Sequence, residues 1–246
     1  MSWQDIDPFP LRSVFSGAAD QVSVAAPPRT GVGSGPLDLR VLELLTARLC
    51  HELIGPIAAI NNGVELLADE PVLVRGDADP GFMHDAISLV GDSASQAASR
   101  LQFYRFAYGF GHGGSMVGSP PNELASRFFE KTRIACDYGE SIRVLPLEWQ
   151  RLACNLLLTG AEVLSRGGSL VVAVKPDGLD LAATGEFAAL PPETSAALLL
   201  ATPVSALTSR SIQAYFTGLL AESLGCRLVR TEELQRLRLT AIALAS

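Results

Sequence analysis

The chain of 246 residues sets 19 Lys+Arg against 26 Asp+Glu, a formal net charge of −7, with 48% hydrophobic and 18% charged residues. That balance excludes a disordered or supercharged chain, and the acidic excess argues against nucleic acid, whose phosphates are met by Lys and Arg. The mean hydropathy is high at +0.27, yet the best apolar run, 195–207, is shorter than the ~20 residues a bilayer requires and is interrupted by Thr202 and Pro203, so no membrane span is expected. Asp5 and Asp7 stand where a signal peptide is basic. Four cysteines (Cys50, Cys136, Cys154, Cys226) lie far apart with no C-x-x-C and encode neither a zinc site nor a disulfide framework. A cytoplasmic globular protein is expected.

Residues 1–36, with Pro8, Pro10, Pro27, Pro28 and Pro36 and no apolar period, read as a flexible lead-in. From Leu37 to Asp69 a stripe of Leu42, Leu45, Leu49, Leu53, Ile57, Ile60, Val64 and Leu67 predicts one long helix, kinked at Pro56. A Pro/Gly link follows. The spacing of Val90, Ala94, Ala97, Leu101, Tyr104 and Tyr108 predicts a second helix over about 82–108. The helical unit is placed at 37–115. A lone hairpin leaves its apolar seam wet, and two copies close it as a four-helix bundle, so a homodimer is expected.

The remainder, 116–246, alternates helix and strand. Helices are expected at 121–138, 147–165, 192–201 and 209–224. Strands are expected near 141–145, at 169–175 and 179–187 across a Pro176-Asp177-Gly178 turn, and at 226–231 and 236–243. The pattern is α+β, a two-layer sandwich of sheet and helices. Gly109, Gly111 and Gly114 spell G-x-G-x-x-G, but they follow a helix rather than a strand, which removes the dinucleotide reading.

Of the three histidines, His84 and His112 have no neighbours at ligand spacing. His51 is different. At roughly 100° per residue it falls opposite the apolar stripe of its helix. Leu44, Ala47, Ile54, Gly55, Ala58 and Asn62 share that outer face, where Lys, Glu and Arg would normally stand, so the face reads as a partner-docking surface around an imidazole. Cys50 is adjacent in sequence and therefore points away, which excludes a thiolate–imidazole dyad. The absence of H-x-x-x-H and H-E-x-x-H argues against a metal site.

The segment Ala47-Arg-Leu-Cys-His-Glu-Leu-Ile-Gly-Pro56 resembles the H-box of histidine kinases. With Ile57-Ala-Ala-Ile-Asn-Asn-Gly-Val-Glu-Leu-Leu67, Leu101-Gln-Phe-Tyr-Arg-Phe-Ala-Tyr-Gly109, Ser211–Leu220 and Gly225–Val229, it is similar to the histidine phosphotransferases of the alphaproteobacterial cell-cycle phosphorelay, the ChpT family. The resemblance implies a dimeric four-helix bundle carrying a degenerate histidine-kinase ATPase-like (Bergerat) domain. It implies a phosphoryl group moved between receiver-domain aspartates through phosphohistidine at His51. Glu52 then corresponds to the acidic residue that orients the imidazole. Arg48, three residues before His51, would steer or hold the phosphoryl group. The implied partners are the receiver domain of a hybrid histidine kinase and response regulators, with Mg²⁺ supplied by the receiver and no cofactor bound by this chain. Against an active kinase stand three departures: Thr159 four residues after Asn155, Asp180-Leu-Ala-Ala-Thr-Gly-Glu-Phe187 without Asp-x-Gly, and no glycine from Thr202 to Ile212. An active sensor kinase and a non-catalytic dimeric adaptor are the competing readings.

Overall fold

The computed structural model describes residues 38–68, 80–109 and 119–244. The lead-in 1–36, most of the glycine-rich link and the link between the first two helices lie outside the described residues. Helices α1 (Leu39–Ala68) and α2 (Pro80–Ala107) form an antiparallel hairpin. After it come α3 (Pro121–Phe129), β1 (Ile134–Tyr138), a 3-10 turn (Glu140–Val144), α4 (Leu147–Ala161), β2 (Gly168–Lys175), β3 (Gly178–Thr184), α5 (Pro192–Leu198), a short 3-10 turn (Val204–Ala206), α6 (Ile212–Ser223), β4 (Cys226–Glu233) and β5 (Arg236–Ala243).

The five strands form one mixed sheet in the order β1-β2-β3-β5-β4, in which only β1–β2 is parallel. Leu170, Val172, Leu179, Leu181, Leu237, Leu239 and Ala241 are buried completely on its inner face, under α4 and α6. Gly160 lets α4 approach the sheet, since a Cβ there would lie 2.7 Å from Leu181 Cδ2. The turn expected at Pro176-Asp177-Gly178 is present; Gly178 has φ +152, and a Cβ there would strike the Ala241 carbonyl.

Two expectations fail in one stretch. The helix predicted over 121–138 stops at Phe129, and Ile134–Tyr138 is an edge strand. Thr132 causes the break: its hydroxyl donates to the Phe129 carbonyl at 2.8 Å and accepts the Ile134 N–H at 3.1 Å, an alternative to the next helical turn. The strand predicted near 141–145 is a 3-10 turn.

The apolar stripe of α1 also divides differently from the expectation. Pro56 and Gly63 are the residues buried toward α2, with Val90 Cγ2 only 2.5 Å from where a Gly63 Cβ would be. Leu42, Ile57 and Val64 of the stripe remain 49%, 49% and 50% exposed, as does Leu101 of α2 at 50%. A periodic pattern says that a face is apolar without saying what covers it.

The two units share their cores. Phe103, Tyr104 and Ala107, at the end of α2, are buried in the same cluster as Phe129, Trp149, Leu152 and the sheet. Val41 and Leu44 of α1 pack with Ala197, Leu207 and Ile212. The C-terminal domain is thereby seated against the lower third of the hairpin.

Candidate functional site

Helix α1 continues through Pro56 and carries every site residue expected from the sequence. His51, Ala47, Ile54, Gly55, Ala58 and Asn62 are exposed on it, Ile54 at 63%. A Cβ placed at Gly55 would meet nothing within 4 Å. Two expected docking residues belong elsewhere. Leu44 is only 7% exposed, spent in the contact with α5 and α6, and offers no surface to a partner. Arg48 pairs through Nη1 with Glu162 at 2.6 Å, just past the end of α4, and is committed to holding the two domains together rather than to a phosphoryl group.

Glu52 is half-buried and turns toward α2, where Arg100 receives it. Arg100 Nη1 lies 2.5 Å from Glu52 Oε2 and also donates to the Glu52 main-chain carbonyl at 3.2 Å. The second bond has a cause in the sequence. Proline has no N–H, so Pro56 leaves the carbonyl four residues earlier without its helical partner. Arg100 replaces the missing donor. Its guanidinium also lies over the Phe128 ring, 6.0 Å from the centroid. His51, Glu52, Gly55, Pro56, Ala59, Gln96 and Arg100 together line a shallow cleft between α1 and α2.

Sequence reasoning did not single out Arg100 and Gln96. A mid-helix proline announces an orphaned carbonyl, and Arg100 is one of two arginines in the second helix, following the small residues Ala97, Ala98 and Ser99; those two signals point to the pair.

Below His51 the domain junction is polar and closely packed. Tyr104 and Tyr108 stack with ring centroids 5.4 Å apart, and the Tyr108 hydroxyl donates to Gln213 Oε1 at 2.8 Å. Burial pushes the Tyr108 phenol up to about 12. Burial likewise pushes the Glu162 carboxyl from its ordinary 4.5 to about 7, against the pull of Arg48 and aided by the charge of Glu52. A carboxyl raised on folding contributes most stability below its unfolded value and loses it as pH rises through the folded one. Wild-type protein should therefore lose thermal stability relative to Glu162→Gln between about pH 4.5 and 7. Calorimetry of both proteins across that range checks it, and a constant difference in melting temperature contradicts it.

Asn155, Thr159 and Asp180, in the segments that the resemblance matches to a nucleotide site, are bonded to other residues of the protein. Asn155 is fully buried; its Nδ2 donates to the Ala107 carbonyl at 2.7 Å and its Oδ1 accepts from Gln213 Nε2 at 3.0 Å. The hydroxyls of Thr159 and Thr217 lie 2.9 Å apart. Asp180, on β3, accepts from Arg238 Nε and from the Thr240 hydroxyl. Burial alone would raise its carboxyl, but those bonds hold it below the usual range. Among the described residues no group of three or more metal-ligating side chains occurs, and no helix is long and apolar enough to cross a membrane.

Comparison with known proteins identifies the family. Residues 121–233 match the family model of the histidine phosphotransferase C-terminal domain. The chain is 33% identical over 202 residues to protein phosphotransferase ChpT of Brucella abortus (strain 2308), covering 78% of this chain and 92% of that one. A bacterial phosphotransferase of solved structure superposes with a TM-score of 0.66 at 31% identity, covering 85% of this chain and 98% of the other. The likeness to a blue-light-activated histidine kinase of Erythrobacter litoralis, EL346, at a TM-score of 0.34 and 12% identity, is too slight to carry an argument. The chain belongs to the ChpT-type histidine phosphotransferases, enzymes that pass a phosphoryl group through histidine in a phosphorelay.

Proposed function

We propose that His51 is the phosphoryl-carrying residue of this relay. A ring nitrogen directs its lone pair at the phosphorus of a receiver aspartyl phosphate. The P–O bond breaks, its electron pair returns to the receiver carboxylate, and the phosphoryl group is left on the imidazole. The proton on the other ring nitrogen goes to solvent, and Glu52, next in sequence and bonded to Arg100, acts on the imidazole through its charge in the shared cleft. The reverse step, with a second receiver, discharges it. Donor and acceptors are the receiver of a hybrid histidine kinase and the receivers of response regulators, each bringing its own Mg²⁺. The observation that carries this reading is the placement of His51: exposed, at the rim of a cleft with Glu52, Gln96 and Arg100, and bordered by Ala47, Ile54, Ala58 and Asn62, whose size admits a partner helix.

The test is to incubate the protein with a phosphorylated receiver and to look for acid-labile, base-stable label on His51. Wild-type protein that takes no label overturns the reading. Ile54→Glu sharpens the test, because Ile54 is exposed and its replacement should change folding stability by no more than ~0.5 kcal/mol. In the complex the carboxylate would be buried unpaired, at a cost of several kcal/mol, so transfer should be lost. Retained transfer would move the docking face off Ile54.

The uncovered apolar residues are assigned to a second copy of the chain. Ile87, Ala94 and Leu101 recur every seven residues on α2 and are exposed, as are Leu42, Ile57 and Val64 on α1. Two hairpins joined along these stripes form a four-helix bundle. Leu101→Glu with Ile57→Glu should convert a dimer into a folded monomer in light scattering, since neither residue belongs to the buried cluster shared with the C-terminal domain. A dimer that survives both changes contradicts the assignment.

The C-terminal domain is taken as a degenerate ATPase-like module that braces the hairpin and binds no nucleotide, because the polar groups of Asn155 and Thr159 are already spent. The unpaired state of all four cysteines fits a reducing, cytoplasmic setting.

A further inference from the structure

We propose that Arg100 binds the phosphoryl group while it resides on His51; this rests on the assignment of His51 as the phosphoryl carrier. A phosphoryl group adds close to two negative charges at neutral pH. The cleft that must receive it already holds the carboxylate of Glu52, so a site without a cation would repel its own cargo. Two arginines flank His51 along the hairpin. Arg48 is spent on Glu162 below the cleft, whereas Arg100 lines the cleft itself.

The bonding of Arg100 leaves it equipped for the task. Both of its bonds to Glu52 leave from Nη1. No acceptor within the described chain is recorded for Nε or Nη2. The Glu52 bonds and the Phe128 ring fix the plane of the guanidinium, so little side-chain freedom remains to be lost when an anion arrives. One guanidinium therefore serves two purposes: Nη1 keeps Glu52 and its carbonyl satisfied, and the remaining edge meets the phosphoryl oxygens. Gln96, one turn before Arg100 on α2, lines the same cleft and supplies a neutral amide beside it.

The test uses phosphoramidate, a small donor that needs no receiver. A His51 nitrogen forms the N–P bond as the P–N bond of phosphoramidate breaks and ammonia leaves. Rates of His51 labelling are followed by phosphorus NMR in the full-length protein. Arg100→Ala should lower the rate on the order of 10- to 100-fold, the loss of one charge-assisted hydrogen bond. Arg100→Lys, which keeps the positive charge and a donor, should recover part of that loss and also guards against misfolding of the alanine variant. The decisive arm repeats Arg100→Ala in a Glu52→Gln background. If Arg100 touches the phosphoryl group, the defect persists there. If Arg100→Ala labels like wild type, or its defect disappears once Glu52 is neutral, Arg100 acts only through Glu52 and the proposal is overturned. A receiver that fails to label wild-type protein would sink the relay reading separately, while labelling by phosphoramidate still reports on Arg100.

Discussion

His51→Gln should accept no label from a phosphorylated receiver, while its thermal stability stays within ~0.5 kcal/mol of wild type. The imidazole is exposed on α1, and no hydrogen bond or ion pair of His51 is recorded among the described residues, so folding loses nothing that the structure records. Glutamine preserves length, polarity and helix compatibility but has no nucleophilic ring nitrogen, and its amide lone pair is delocalised. Because the phosphohistidine is an obligatory intermediate, the loss is complete rather than partial. Glu52→Gln should behave differently. In the reading proposed above Glu52 acts on the imidazole through its charge rather than as the nucleophile, so slow transfer should survive. Electrophoresis of labelled protein separates the two outcomes. Label retained in His51→Gln, at His84 for instance, would transfer the assignment elsewhere.

Asn155→Leu should lower stability by about 3 kcal/mol, or about 6–12 °C in melting temperature for a chain of this size. The two side chains are similar in volume, so the cavity contribution is small. What changes is bonding: the Ala107 carbonyl loses its donor and Gln213 Nε2 loses one of its two acceptors, keeping only Thr217 Oγ1 at 3.3 Å, all inside a fully buried junction. Ala107 ends α2 and Gln213 sits in α6, so the loss falls on the seam between hairpin and C-terminal domain. A residue kept for nucleotide would give the opposite result. In that case Asn155→Leu would leave the melting temperature unchanged and weaken the binding of Mg-ATP, which wild-type protein should not display in calorimetry at millimolar nucleotide. Either finding would make Asn155 a ligand and not a brace.

Much of this arrangement was legible in the residues alone. The H-box singled out His51 and Glu52, which line one cleft, and the two long apolar periods placed the hairpin helices close to their ends. The Pro176-Asp177-Gly178 turn set the β2–β3 pairing because only a few residue types close so tight a bend. The errors have a common physical root. Arg48 and Leu44 were placed correctly on the helix and wrongly in space, because a helical wheel reports direction from the axis and not which domain stands in that direction. Arg100 was missed because its partner lies 48 positions away, and non-local pairing leaves no period to read. At Thr132 a single hydroxyl outweighed the helical pattern around it, which window-averaged propensity does not register.

The proline-orphaned carbonyl constrains how the hairpin can move. Elsewhere α1 and α2 meet through small residues, such as Gly63 beside Ala86 and Val90, and smooth surfaces of that kind permit neighbouring helices to slide or roll past one another. Arg100 reaches a main-chain oxygen that lacks its helical partner because of Pro56, at one level of α1. A slip by one helical turn, ~5.4 Å, would leave that oxygen bare and the Glu52 carboxylate without its cation. The axial register of the two helices is therefore pinned beside His51. A hairpin locked in this way is poorly suited to conducting a piston or rotation along its length. It is suited to presenting one geometry to whichever partner arrives, so that the choice among partners rests on the partners rather than on the conformation of the carrier.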